Sequence, residues 1–125
     1  MRWGMEMAPK TSSPSPIDLD HLNRYVFGDK GLLDEVLTIF SEQAEQWLER
    51  LDLTLEDAAW KDAAHTLKGA ARGVGSWTLG DLCEEAEKLV GGVPEKTGRR
   101  RALLASLKAH VEEAIAEANR LKAEF

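Results

Sequence analysis

Residues 58–75 read AAWKDAAHTLKGAARGVG. At about 100° per residue, Trp60, Ala63, Ala64, Leu67, Ala70, Ala71 and Val74 fall on one side of a helix, and such a stripe has to face a core. The helix is predicted to run from about Ala58 to Arg72, because Gly73-Val74-Gly75 offers a glycine for the left-handed conformation that ends helices. Thr54 with Asp57 three residues on, or Asp57 itself, is placed to cap its first turn. His65 lies roughly 160° from the middle of the stripe and so points outward. Lys61 stands one turn before it, and Lys68, Gly69 and Arg72 follow within two turns on the same outer side.

The flanking segments repeat the helical pattern. Upstream, Leu33, Val36, Leu37, Phe40, Ala44, Trp47, Leu48 and Leu51 recur at three and four and predict a helix from near Asp29, a good cap, to about Leu53. Before it, Ile17, Leu19, Leu22, Val26 and Phe27 suggest a short helix capped by Asp18 or Asp20 and ending at Gly28. Downstream, Ser76 caps a helix with the stripe Leu79, Leu82, Cys83, Ala86, Leu89 and Val90, and Gly91-Gly92-Val93-Pro94 breaks it. A last helix covers about Gly98 to Ala123, with Leu103, Leu104, Leu107, Val111, Ala114, Ala118 and Leu121 inward. Residues 8–16 contain three prolines and little apolar surface, so residues 1–16 are expected to be a disordered tail and residues 17–125 the domain. Four amphipathic helices on short connections bury their stripes as an all-α, antiparallel up-and-down four-helix bundle, here with a short extra N-terminal helix.

Composition agrees and excludes several functions. A chain of 125 residues, 43% apolar and only 6% aromatic, suits one helical domain. A net charge of −6 argues against wholesale binding to nucleic acid or anionic membrane. The ten glycines form neither a P-loop nor a dinucleotide fingerprint, so no nucleotide site is expected. No segment nears the ~20 apolar residues of a membrane span, and residues 1–16 lack the apolar centre of a signal peptide. One cysteine, Cys83, makes no internal disulfide; it reads as a small core residue in a cytoplasmic protein. Trp47, Trp60 and Trp77 read as packing anchors, and Arg99-Arg100-Arg101 as a solvated positive helix start. His21 and His110 lack the lysine and glycine that follow His65.

The outer face of the third helix carries the chemistry. A neutral imidazole is a competent nucleophile near physiological pH, since the reference pKa of histidine is about 6.5. Neighbouring cations suit the oxygens of a phosphoryl group placed on such a ring. Glycine inside a helix costs about 1 kcal/mol relative to alanine, and open space beside His65 for a partner's backbone offsets that cost. No metal site is expected: Lys68 and Gly69 occupy the positions where a second ligand of the same helix would stand, and no E-x-x-H pair is present.

Ala64-His65-Thr66-Leu67-Lys68-Gly69-Ala70-Ala71, followed by Val74-Gly75, resembles the motif of histidine-containing phosphotransfer (HPt) domains. Leu79, Leu82, Cys83 and Glu87 are similar to that family's next helix, although Ala86 replaces a larger apolar residue. Gly91-Gly92 stand where some members place a polar or basic group. The resemblance implies a phosphorelay intermediate in which His65 accepts a phosphoryl group from a receiver-domain aspartate or a sensor histidine kinase and passes it to another receiver aspartate. It implies that Lys68 supports the phosphate, that Gly69 gives access, and that Lys61 and Arg72 are possible phosphate or partner contacts. The chain is expected to need no cofactor of its own, the Mg²⁺ belonging to the receiver, and to be a monomer. Whether a phosphotransfer protein of this kind counts as an enzyme stays open. Two other readings stand beside it: a non-catalytic helical adaptor, and a fragment of a dimeric histidine-kinase-like core, in which an acidic residue usually follows the histidine where Thr66 stands here.

Overall fold

The computed structural model describes residues 15–124, so the expected tail over residues 1–16 lies almost wholly outside the described residues. Among the described residues five helices follow one another and no strand occurs. They are α1 (Leu19–Val26), α2 (Lys30–Arg50), α3 (Asp57–Gly73), α4 (Trp77–Glu87) and α5 (Lys96–Glu124). The four longer helices pack in a closed ring, α2 on α3, α3 on α4, α4 on α5 and α5 back on α2, with α1 against α2. Leu37, Phe40, Trp60, Leu67, Cys83, Leu107 and Val111 meet in the common core. Among the described residues no helix is long and apolar enough to cross a membrane.

Local chemistry sets most boundaries. Asp18 caps α1 by accepting from the His21 amide at 3.1 Å, and Asp29 caps α2 by accepting from the Leu32 amide at 3.1 Å. The end of α1 differs from expectation: the chain turns left-handed already at Phe27, φ 52°, before Gly28 follows at φ 76°. A non-glycine residue in that region is uncommon, and the Phe27 side chain is left exposed. Helix α2 stops three residues short of the expected end because Leu51 turns into the core, and Asp52 then closes a turn by accepting from the amide and hydroxyl of Thr54.

Neither expected cap of α3 acts as one. Thr54 is engaged by Asp52, and Glu56 holds the cap position without a side-chain bond. The Asp57 carboxylate is recruited by the α4–α5 connection instead: it accepts from the Gly91 amide at 2.7 Å, from Lys96 at 2.9 Å and from Arg100 at 2.9 Å. Arg100 is therefore no solvated residue of a basic patch. It is 3% exposed, donates Nε to the Leu89 carbonyl and Nη1 to the Leu55 carbonyl, and lies 4.4 Å over the Trp60 ring.

The turn between α3 and α4 has two reciprocal backbone bonds, from the Ser76 amide to the Ala71 carbonyl and from the Gly75 amide to the Arg72 carbonyl. This is a Schellman motif with Gly75, at φ 75°, in the left-handed position rather than Gly73. Ser76 precedes α4 but makes no side-chain cap bond. Trp77 is no core anchor: it is exposed, donates Nε1 to Asp18 at 3.1 Å and stands edge-on to His21. Trp60 is the anchor, wholly buried and donating Nε1 to the Ala86 carbonyl at 2.7 Å. That bond fixes the height of α4 beside α3, one residue before Glu87.

Candidate functional site

The buried face of α3 holds Trp60, Ala63, Ala64, Leu67 and Ala71. His65 sits on the opposite face with its side chain 68% exposed. A Cβ built on Gly69, one turn further on, meets nothing within 4 Å, and the same is true at Gly73. His65, Gly69 and Gly73, spaced by four, therefore border open space along one side of α3.

The cations around the ring are placed otherwise than the sequence suggested, because α4 lays three acids against them. Glu87 Oε2 lies 2.6 Å from Lys68 Nζ and 3.5 Å from His65 Nδ1. Neither approach has full hydrogen-bond geometry and Oε2 is closed off from solvent, so the attraction is mainly Coulombic. Lys68 is 17% and Glu87 14% exposed, so this pair is screened less than a surface pair. Arg72 Nη2 lies 2.9 Å from Glu84 and 3.5 Å from Asp81, and Glu84 is 3.9 Å from Lys68. Lys61 is exposed and makes no ion pair among the described residues. The histidine thus faces a zipper of alternating charge, with Lys68 and Arg72 both neutralised, in place of a ring of uncompensated cations.

The titration of these groups follows from their neighbours. Partial burial pushes the Glu87 carboxyl up, but the Lys68 ammonium and the His65 ring outweigh it and hold it below the ordinary glutamate range. The hydrogen bond from Arg72, with its charge, does the same for Glu84, and Glu84 in turn raises Arg72. Cys83, on the buried face of α4, is pushed up to about 12 by burial and by the nearby Glu87 charge, which disfavours the thiolate.

Asp81, Glu84 and Glu87 were not singled out as a set by the sequence reading. Their signal was present, an acidic residue every third position on one face of α4. Recognising it as part of this site requires the register of α4 against α3. Chemically, the arrangement offers an accessible imidazole whose Nδ1 faces a carboxylate. A ring held with its proton on Nδ1 presents the lone pair of Nε2 to a reactant.

An all-helical domain with an exposed histidine on the open side of its third helix defines a class of histidine-bearing helical domain. The family model described as Hpt domain matches residues 35–122. That is more than half of the chain, and the chain belongs to the Hpt domain family. Hpt domains take part in two-component phosphorelay and interact with receiver domains and kinases. A search of curated proteins and a search of solved structures returned no significant match.

Proposed function

We propose that this chain is a phosphorelay intermediate whose phosphoacceptor is His65. The observation that carries the reading is the exposed His65 ring beside the open space at Gly69, inside the span matched by the Hpt family. The domain is the bundle from residue 17 onward, its four long helices running antiparallel to their neighbours, and it acts as a cytoplasmic monomer.

In the reaction, the Nε2 lone pair of His65 attacks the phosphorus of a receiver aspartyl phosphate. The P–O bond to the aspartyl carboxylate breaks, that carboxylate leaves with the electron pair, and an N–P bond forms while the ring keeps its Nδ1 proton. Return to another receiver aspartate is the same step reversed. The receiver brings its carboxylates and its Mg²⁺, so this chain contributes in-line positioning and charge. Lys68, which shares the Glu87 carboxylate with the ring, supports the phosphoryl oxygens; Lys61 meets the partner at the rim, and Arg72 braces α4 through Glu84. Leu32 and Ile39 are the exposed large apolar side chains of α2, and they join the glycines of α3 in docking the receiver.

The test is incubation of wild type and His65→Gln with a receiver charged by acetyl phosphate. The side chain is exposed, so the substitution leaves stability within about 0.5 kcal/mol. Acid-labile, base-stable label is expected on the wild type alone. Label on the Gln variant removes His65 from the reaction, and no label on either protein leaves the domain an adaptor.

A further inference from the structure

Resting on that reading, we infer that Glu87 is a resident counter-anion that competes with the phosphoryl group for Lys68, and so holds the phosphorylated form of His65 at a low standing level. In the unphosphorylated protein Lys68 is already paired with Glu87, at 2.6 Å. A phosphoryl group on the ring brings a charge of roughly −1.5 to −2 to a site whose half-buried ammonium, Lys68, is taken. Either the pair opens and Glu87 loses its partner, or two anions share one cation. Both raise the free energy of the phosphorylated form relative to the free histidine.

Glu87 also acts in the opposite sense, since its carboxylate faces Nδ1 at 3.5 Å and favours positive charge on the phosphorylated ring. Charge decides between the two. The ring acquires at most one positive charge, whereas the phosphoryl group carries nearly two negative ones and meets a Lys68 already committed to Glu87. Arg72, one turn after Lys68, is held by Glu84 and Asp81, and Lys61, one turn before His65, is exposed to solvent and screened, so neither substitutes for the half-buried Lys68. The net effect is a phosphohistidine poised to discharge onto a receiver. Glu87 is a positioning residue, acting through Lys68 and the ring.

Glu87→Gln keeps the shape and an oxygen facing Nδ1 but removes the charge. At equilibrium with a phosphorylated receiver, it is expected to raise the ratio of phospho-His65 to phospho-receiver roughly fivefold, chiefly by slowing return of the group. In a Lys68→Met background the same substitution is expected to shift the ratio much less. A similar shift in both backgrounds overturns competition for Lys68, and an unchanged or lowered ratio overturns the inference as a whole. If Glu87→Gln does not fold, Glu87→Asp, which withdraws the carboxylate from Lys68, has to raise the ratio too, and failure to do so is equally fatal. Wild type that takes no label at all refutes the phosphoacceptor reading itself, whereas labelled wild type with an unmoved variant refutes only the role of Glu87.

Discussion

The guanidinium of Arg100 lies 4.4 Å over the ring of Trp60, and the indole of Trp60 donates to the Ala86 carbonyl. Through these two side chains α5 holds α3, and α3 holds α4, at the end of the bundle nearest the α3 N-terminus. Arg100 also satisfies the Leu89 and Leu55 carbonyls and pairs with Asp57.

Arg100→Met leaves those acceptors without their donor and is expected to cost roughly 2–4 kcal/mol, read from urea unfolding. Arg100→Lys restores charge but not the planar fork, so it is expected to recover less than half of the loss. A neutral effect of Arg100→Met would show that water replaces the guanidinium at no cost.

Gly69 and its surroundings separate stability from function. A methyl group there meets nothing within 4 Å, so Gly69→Ala is expected to stabilise the protein by about 1 kcal/mol through helix propensity. Gly69→Leu keeps the helix and is expected to slow phosphotransfer by at least about tenfold, because the space beside His65 is filled. Stopped-flow transfer rates and thermal unfolding on the same samples decide; unaltered rates contradict the access argument.

Gly75 is the opposite case. Its φ is 75°, and a Cβ there falls 2.5 Å from the Cβ of Asp18. Gly75→Ala therefore meets both backbone strain and a clash with the cap of α1, and is expected to cost at least about 2 kcal/mol. Faster amide exchange at Leu22 and Val26 would report the loosening of α1.

Acid titrates the charge zipper. Glu84 and Glu87 are held below the ordinary glutamate range, Glu84 mainly by Arg72 and Glu87 mainly by Lys68 against the opposing effect of burial. Carboxyls lowered by folding add stability that is fully present above their unfolded values and is lost as pH falls through the folded ones. Unfolding free energy is thus expected to be level with respect to these groups down to about pH 5 and to decline below about pH 4.5. Glu87→Gln should show a shallower decline, and an identical acid limb in variant and wild type removes Glu87 from the linkage.

How much of this was legible in the sequence depends on the range of the interaction. The helices were readable because apolar periodicity, Asp18 and Asp29 as caps, and the glycine breaks all act within a few residues. The outward direction of His65 and the open side at Gly69 followed from the same local geometry. Errors fell where a partner far along the chain claimed a side chain: Asp57 taken by Gly91, Lys96 and Arg100 rather than by its own helix, Arg100 drawn inward from a run of three arginines, and Trp77 held at the surface by Asp18.

By itself the sequence determined the helical class, the break points and the histidine with its following lysine and glycine, since each rests on spacing along one helix. Only the tertiary structure decided which charges surround that histidine. The Schellman turn at Gly75 and the bond from Trp60 to Ala86, 26 residues apart, set α4 beside α3 so that Glu87 reaches Lys68. The strength of a charge pair depends on separation and burial, and neither quantity exists until the two helices have docked.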